Sequence, residues 1–313
     1  MQRYKIFVDG SAGTTGLRIL DRLAGRPELE LISLPEADRK NLDARAEACA
    51  KADLVFLCLP DAASREIVPL IPANVRVLDT STAHRTAPGW VYGLPELHGT
   101  RAALAEARRV AVPGCHATGF ITLAAPLVET GLLPADAALT CTSLTGYSGG
   151  GKGMIADYRA PGRPAALEAC RPYGLGLHHK HLPEMQAVCG LAAPPLFVPV
   201  LGDYYCGMLT MLPLFPAQYG TTAAAIADTL AGYYAGEPMI TVHPLGQGTE
   251  NGFLAANALA GSDRLEIFCL PGPDGAQLQL ISLFDNLGKG SSGAALQCLN
   301  AMLCLPETRG LSL

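Results

Sequence analysis

The chain has 313 residues, 49% of them apolar and 16% charged, so it is long enough for about two globular domains and too apolar to be disordered. Its net charge of −5, without any basic cluster, argues against nucleic acid as a partner, and no apolar segment reaches the length of a membrane span. Residues 1–5 lead directly into a predicted strand and lack the apolar segment of a signal peptide. The ten cysteines form no C-x-x-C pair. We therefore expect a cytoplasmic protein without a metal site or a disulfide framework.

The first predicted elements are a strand, a glycine-rich turn and a helix. Residues 5–9 (KIFVD) form an apolar β run, and apolar side chains recur at helical spacing over residues 17–23. The turn between them has the spacing G-x-x-G-x-x-G, a variant of the more common G-x-G-x-x-G, and the alternative is an ordinary βα turn. Such glycines let the backbone approach a pyrophosphate at the start of the helix. The predicted cofactor-binding residues of this turn are Gly10, Ala12, Gly13, Thr14, Thr15 and Gly16.

The second strand, predicted over residues 28–34, bears on the choice of cofactor. An acidic residue at its end would bind the ribose 2′-hydroxyl of NAD, but this chain has Ser33 there, followed by Arg39 and Lys40. A hydroxyl and cationic side chains favour a 2′-phosphate, so we expect NADP(H), with Ser33 and Arg39 among its ligands. The alternative is that Arg39 and Lys40 are only a solvated pair in a loop.

Further buried strands are predicted over residues 53–59, 74–79 and 109–112, with helical segments between them. Near-continuous apolar strands that alternate with helices indicate a parallel sheet covered on both faces, so the fold class is α/β with a Rossmann-type domain. Ligands of such sheets bind at the carboxyl ends of the strands. The residues that follow those ends, and that we expect at the ligand, are Pro60, Ser81, Arg85 and Cys115.

Cys115 stands where a strand is followed almost immediately by a helix, in the segment VPGCHAT of residues 112–118. Apolar spacing predicts the helix over residues 116–130. A cysteine at a helix N-terminus lies beside unpaired backbone N–H groups and the positive end of the helix dipole, which favour the thiolate. The alternative is a small buried cysteine without a chemical role. Its position at the ligand-binding edge of the sheet favours a nucleophile.

The second half of the chain begins with a strand over residues 138–144 that enters the glycine-rich segment 145–153, which we interpret as a ligand-binding loop or a flexible hairpin. Residues 196–215 and 253–284 have a β-rich pattern, and the Pro-Asp-Gly at 273–275 is typical of a hairpin. We therefore expect a second, α+β domain with a mainly antiparallel sheet. The predicted domains are a dinucleotide-binding domain of residues 1–114 plus a C-terminal helix at about 290–313, and a catalytic and oligomerisation domain of residues 115–289.

Three histidines lie within four positions, His178, His179 and His181, and Glu184 follows them. One such histidine is more often a structural residue, but this density next to a carboxylate favours a general acid or base. A metal site is the weaker interpretation, because no second group of ligands with recognisable spacing accompanies the histidines.

These motifs together resemble the N-acetyl-γ-glutamyl-phosphate reductases, in particular their shorter form, within the aspartate-semialdehyde dehydrogenase-like superfamily. The resemblance extends over nearly the whole chain, and the pair P-G-C-x-A-T and H-x-H-x-P-E, in this order, is its most specific part. The segments that carry it are residues 9–16, 79–85, 92–96, 113–119, 179–184 and 285–295.

The resemblance implies an NADP(H)-binding domain and a catalytic and dimerisation domain that reduce an acyl phosphate through a thioester on Cys115. It implies that Arg85 meets the acyl phosphate and that the acid or base is His179 or His181, with His179 the first choice. The residues whose roles are implied by matching motifs are Glu184 for catalysis, Ser148 and Lys152 for the substrate, and Asn286 for the cofactor.

Three other functions remain open at this stage. A sister enzyme would use the same chemistry on an aspartyl or lysine-pathway acyl phosphate. A Cys/His hydrolase such as a thioesterase would need no nucleotide, and an NADP-binding redox sensor would leave the histidines and Arg85 without a role. We expect a small-molecule substrate, neither nucleic acid nor membrane as a partner, and a homodimer or homotetramer.

Overall fold

The computed structural model describes residues 3–313, so the very start of the segment judged not to be a signal peptide, residues 1 and 2, lies outside the described residues. The chain divides into two compact units. The first contains the residues up to Pro113 and Ser291–Leu311, and the second contains Gly114–Gly290 with the last two residues. Between residues 3 and 313, every helix is too short or too polar to cross a bilayer.

The first unit is built on a parallel sheet. In chain order its elements are β1 (Tyr4–Asp9), α1 (Thr14–Leu23), β2 (Leu29–Ile32), α2 (Leu42–Ala50), β3 (Leu54–Leu57), α3 (Asp61–Ile67), β4 (Arg76–Asp79), β5 (Val91–Tyr92), α4 (Thr100–Glu106), β6 (Arg109–Ala111) and, after the second unit, α9 (Gly293–Met302). The strand order is β2-β1-β3-β4-β6-β5, and the neighbouring strands pair in parallel. The predicted α/β class with a Rossmann-type sheet is confirmed.

Apolar side chains on both faces of this sheet explain why its strands form. On β1, Ile6 and Val8 pack into the core cluster that contains α1 and α9, whereas Phe7 packs into the opposite cluster, with α2 and α3. Successive side chains of a strand point to opposite faces, so a strand buried on both faces is apolar throughout. The carboxyl ends of β1, β3 and β4 therefore share one edge, where the loops that begin at Gly10, Cys58 and Thr80 emerge.

The second unit contains a mixed sheet and four helices of the described chain. Its elements are α5 (Cys115–Glu129), β7 (Thr140–Gly146), α6 (Gly151–Arg159), β8 (Arg171–Pro172), α7 (Leu182–Cys189), β9 (Leu196–Gly202), β10 (Met208–Leu214), α8 (Ala223–Tyr233), β11 (Ile240–Val242), β12 (Leu265–Pro271) and β13 (Leu278–Phe284). The strand order is β11-β12-β13-β10-β7-β9-β8, with β11/β12 and β7/β9 parallel and the other pairings antiparallel. The predicted hairpin at residues 273–275 connects β12 to β13.

Three sequence interpretations were wrong locally. Residues 254–264, predicted as part of a β-rich segment, form turns, because Gly252 and Gly261 adopt positive φ and the Gly261 N–H is bound by the Asp285 carboxylate instead of a strand. Residues 147–153, interpreted as a loop, form a 3-10 helix and the first turn of α6. The final α-helix, predicted over about residues 290–313, is also shorter. A π-helix, Gly288–Ser292, precedes α9, and α9 ends at Met302, after which Cys304 adopts positive φ and the chain continues in turns.

Candidate active site

Cys115 is the first residue of α5 and is partly exposed. The preceding Gly114 is the N-cap, and glycine has no side chain with which to cap the helix, so an anion can approach its first N–H groups. The Gly114 N–H itself donates to the Glu184 carboxylate at 3.0 Å. Glu184 is buried in the first turn of α7, and it therefore fixes the backbone next to the thiol.

Burial distinguishes several other thiols from an accessible nucleophile. It raises the pKa of Cys49 and Cys58 to about 12 and that of Cys269 to about 11. It also raises the pKa of Cys141 and Cys189. These five side chains are thiols at neutral pH and are poor nucleophiles.

The predicted histidines divide by burial. His178 is exposed, His179 is half-buried, and His181 is buried as the N-cap of α7. The His181 backbone N–H donates to His179 Nδ1 at 3.2 Å, so the proton of a neutral His179 ring lies on Nε2. His181 Nε2 lies 4.0 Å from Glu184 Oε1. The structure thus brings His179, His181 and Glu184 together, and it leaves His178 outside the group.

His116 belongs to this group although the sequence did not single it out. Its ring packs edge-on against His179, with 5.4 Å between centroids, and lies 5.7 Å from His181. Its nitrogens contact Ser143 Oγ at 2.8 Å and Tyr173 Oη at 2.7 Å. Only the position next to Cys115 pointed to it, because the partners lie 27 and 57 residues away.

The motif residues near the end of the second unit also meet the earlier ones. Asn286 Nδ2 donates to Ser148 Oγ at 3.0 Å, and Asn286 Oδ1 accepts the Gly207 N–H at 2.8 Å. The Ser148 hydroxyl and the Asn286 amide are thus paired inside the unit, where both residues are buried. Lys152 is exposed on α6. A Cβ atom at Gly290 would lie 2.9 Å from the Cβ of Cys115, so a glycine is needed beside the nucleophile.

In the first unit, the glycine-rich turn fits a dinucleotide. Gly10 has φ +82°, and a Cβ there would lie 2.3 Å from the Cys58 carbonyl oxygen. A Cβ at Gly16 would lie 2.4 Å from the Gly10 oxygen. Gly13 is the N-cap of α1, and the helix begins at Thr14 and Thr15 without an acidic residue in its first turn. Exposed Ala12 completes a cradle of small residues at the start of a helix, where a pyrophosphate binds.

The other predicted cofactor residues lie in loops after strands of the same sheet. Ser33 follows β2 directly, and Arg39 ends the next 3-10 helix; both side chains are exposed. Pro60 is the N-cap of α3, after β3. The Ser81 hydroxyl, after β4, donates to Asp79 at 2.8 Å, so this side chain holds its own loop.

The sequence did not identify Asp79 as the centre of that loop. Its carboxylate is fully buried and accepts from Ser64 Oγ at 2.8 Å and from the Ser81 N–H at 2.9 Å. It also contacts His84 Nδ1 at 2.6 Å, and the His84 ring stacks on Trp90. A buried carboxylate requires such partners, and together they determine the path of the chain from β4 to Arg85.

Arg85 joins two strand ends of the first unit. Its Nε donates to the Val112 carbonyl at 3.0 Å and its Nη2 to the Thr80 carbonyl at 3.1 Å. A guanidinium has five N–H donors in a rigid plane, so these bonds fix its orientation beside the segment that leads to Cys115.

Comparisons with known proteins place both units in one family of domains. Residues 5–107 match the semialdehyde dehydrogenase NAD-binding domain, and residues 115–286 match the semialdehyde dehydrogenase dimerisation domain. Proteins named N-acetyl-gamma-glutamyl-phosphate reductase, from Brucella ovis and Brucella canis, are each 46% identical over 305 residues, which cover 96% of this chain and 98% of theirs.

Solved structures show the same fold at low sequence identity. Aspartate semialdehyde dehydrogenase II from Vibrio cholerae superposes with a TM-score of 0.73 at 16% identity, covering 97% of this chain and 99% of that one. The aspartate semialdehyde dehydrogenase from Candida albicans, solved with NADP, superposes with a TM-score of 0.64 at 16% identity and the same coverage.

Proposed function

Because this chain belongs to the N-acetyl-γ-glutamyl-phosphate reductase family and carries its NAD(P)-binding and dimerisation domains, we propose that it reduces N-acetyl-γ-glutamyl phosphate with NADPH. The products are N-acetylglutamate semialdehyde and phosphate, as in arginine biosynthesis. The observation that carries the proposal is a partly exposed thiol, Cys115, at a helix start that its glycine N-cap leaves open, next to a cluster of histidine rings.

The first step is acyl transfer to Cys115. The thiolate attacks the carbonyl carbon of the acyl phosphate, and a C–S bond forms. The bond between this carbon and the oxygen that bridges to phosphorus breaks, and phosphate leaves with the bonding electrons. The N–H groups at the start of α5 stabilise the thiolate before attack. We assign Arg85 to the leaving phosphate, because its planar donors suit phosphate oxygens and its orientation is fixed by two backbone carbonyls.

The second step reduces the Cys115 thioester. NADPH, held at the glycine-rich turn of the first unit, would supply the hydride for this reduction. His179 donates a hydrogen bond from Nε2 to the oxygen that becomes an alkoxide, a direction that agrees with its Nδ1 accepting the His181 N–H. The alkoxide then reforms the carbonyl and expels the Cys115 thiolate, so this step needs no net proton; the one proton that the whole reaction consumes ends on phosphate.

Within this scheme, His181 and Glu184 are positioning residues. Glu184 holds the Gly114 N–H, and His181 holds His179 through its own backbone N–H. Ser148 and Asn286 support each other across the second unit, and exposed Lys152 is available to a substrate carboxylate or phosphate. These proposed roles differ from those implied by the matching motifs, in which His179 or His181 was the acid or base, Glu184 was catalytic and Asn286 bound the cofactor.

We assign the cofactor site to the turn of Gly10, Gly13 and Gly16. It packs tightly because side chains at Gly10 and Gly16 would meet backbone oxygens, and it leads into the first N–H groups of α1, where a pyrophosphate binds. Ser33 and Arg39 are exposed after β2, where they favour a 2′-phosphate and hence NADP over NAD. The dimerisation domain supports a homodimer, or a homotetramer made of two such dimers. The cytoplasmic location remains a prediction from composition.

The proposal is tested by measuring NADPH formation in the oxidative direction with N-acetylglutamate semialdehyde, phosphate and NADP. We expect turnover that requires phosphate and exceeds that with NAD or with aspartate semialdehyde. Cys115→Ser should bind NADP normally and lose turnover by at least about a thousandfold. The matched variant Cys304→Ser, an exposed thiol after α9, should retain wild-type turnover.

The result identifies which alternative holds if the proposal fails. Turnover with aspartate semialdehyde alone would indicate the sister enzyme, which shares the thioester chemistry. Near-normal turnover of Cys115→Ser would contradict the covalent route. Folded protein that binds NADP but turns over neither aldehyde would favour the redox sensor.

A further inference from the structure

His116, the residue after the nucleophile, is one of the most thoroughly engaged side chains of the second unit. It is 2% exposed, and both of its ring nitrogens are within hydrogen-bonding distance of hydroxyl groups. The ring is therefore held at both nitrogens, by partners from two different parts of the second unit.

The first contact leads into the unit's interior. His116 Nδ1 meets Ser143 Oγ at 2.8 Å, and Ser143 Oγ meets Thr210 Oγ1 at 2.9 Å. Ser143 and Thr210 are fully buried and lie opposite each other on β7 and β10. This side of the ring is therefore anchored in a sheet, the most rigid support available to a side chain in this unit.

The second contact leads outward. His116 Nε2 meets Tyr173 Oη at 2.7 Å, just after the short strand β8. Tyr173 is 37% exposed, its ring centroid lies 6.0 Å from that of His179, and its hydroxyl is bound by buried His116. Burial, together with the charge of a Cys115 thiolate, raises the pKa of Tyr173, so its hydroxyl stays protonated and lies within electrostatic reach of the thiol.

The charge state of His116 suits this support. Burial, and to a smaller extent the neighbouring charges of His179 and Lys180, lower its pKa to about 3. A neutral imidazole has one donor and one acceptor nitrogen, which matches two hydroxyl partners that can each donate or accept. It also places no positive charge beside His179, the group that we assign to the reacting oxygen.

We propose that His116 is a positioning residue: its Nε2 holds the Tyr173 hydroxyl beside the Cys115 thiol and the His179 ring, and its Nδ1 ties the ring to the β7–β10 sheet, which stabilises the fold. The proposal rests on the reductase function above, because it assigns the Tyr173 hydroxyl a place beside the group bound to Cys115. It predicts that the Tyr173 side of the ring matters for turnover, whereas the Ser143 side matters for stability.

Two amide variants separate the sides of the ring. Glutamine places its terminal amide near the position of Nε2 and can still bind Tyr173, whereas asparagine reaches only the position of Nδ1 and can still bind Ser143. We expect His116→Gln to keep kcat within about threefold of wild type, and His116→Asn and His116→Phe to lower it by about tenfold or more, with the KM for NADP changed less than about twofold. The reverse order of Gln and Asn would overturn the proposal.

A double-mutant cycle tests the coupling to Tyr173. Tyr173→Phe should lower kcat by about the same factor as His116→Phe, and the double variant should be no slower than either single one. Multiplicative losses would contradict the proposal. If His116→Phe does not fold, the same cycle with His116→Asn decides, because in the Tyr173→Phe background His116→Gln and His116→Asn should become equally slow.

A spectroscopic measurement keeps this inference separate from the proposed function. In the full chain with 15N-labelled histidine, Tyr173→Phe should shift the Nε2 resonance of His116 and leave that of exposed His178 unchanged. An unshifted Nε2 resonance would overturn the contact, whatever the activity. A shifted resonance in a protein without turnover would uphold the contact and show that the reductase function is what failed.

Discussion

At the scale of single residues, Gly290 sets the room available to the nucleophile. An alanine Cβ there would lie 2.9 Å from the Cβ of Cys115 and 3.2 Å from the Asp285 carbonyl oxygen, well inside normal contact distance. We expect Gly290→Ala to displace the thiol and lower kcat by about tenfold or more, with little change in the KM for NADP. Steady-state kinetics in the oxidative direction measure both constants.

Gly232→Ala is the matched control for that substitution. Gly232 lies inside α8, and apart from its chain neighbours and the backbone of its own helix, no atom of residues 3–313 comes within 4 Å of the Cβ it would gain. Alanine is the better helix former by about 1 kcal/mol, so this variant should keep wild-type kcat and unfold at a slightly higher temperature. A wild-type kcat for Gly290→Ala would contradict the prediction, because it would mean that the Cys115 side chain accommodates the added Cβ without loss of turnover.

The site residues that could be predicted were those with a local signal. Cys115 was found from the strand–helix junction, and His179 and His181 from their density, because both signals lie within a few positions of the chain. His116 and Asp79 were missed. The partners of His116 include Ser143, 27 residues away, and those of Asp79 include Ser64, 15 residues away. A single polar residue in an apolar segment gives no indication of such partners.

At the scale of elements, the close approach of α5 to its sheet depends on Gly119. A Cβ at this position would lie 2.2 Å from Thr210 Oγ1 on β10 and 3.0 Å from Ser282 Oγ on β13. We expect Gly119→Ala to lower the free energy of unfolding by about 1–3 kcal/mol through overpacking, although alanine favours the helix. Urea denaturation measures the free energy of unfolding, and a value equal to or above that of wild type would contradict the close contact.

Elements with a strong period were predictable, and their ends were less so. The helix after Cys115 and five of the six strands of the parallel sheet were placed within a few residues of where they lie, whereas the two-residue strand β5 was not predicted. By contrast, the glycine-rich segment after β7 was interpreted as a loop, although it begins α6. Glycine weakens a helix in isolation, and here tertiary contacts such as the stacked rings of Tyr147 and Tyr158 outweigh that preference.

At the scale of the whole molecule, His116 couples global stability to pH. Its pKa is about 3 when folded and 6.5 when unfolded, so between these values the unfolded chain binds a proton that the folded chain does not. Its contribution is complete above pH 6.5 and falls with decreasing pH, by up to about 1.4 kcal/mol per pH unit. His116→Gln should therefore show a shallower loss of unfolding free energy between about pH 6 and 4.5.

Chemical denaturation at several pH values measures that slope. The exposed His178 provides the control, because His178→Gln should leave the slope as in wild type. Equal slopes for wild type and His116→Gln would mean that His116 takes up its proton as readily in the folded chain as in the unfolded one.

The sequence by itself determined the alternation of strands and helices in the first unit, the glycine-rich turn, the thiol at a helix start and the family to which the chain belongs. These depend on spacing along the chain, which the periods of strands and helices translate into structure. Only the tertiary structure decided which polar groups are buried together. Thr210, Ser143 and His116 come from three separate elements and Tyr173 from the loop after a fourth, and Ser148 meets Asn286 across 138 residues. A buried polar group needs a partner with suitable geometry, and that partner is supplied by the fold rather than by its sequence neighbours.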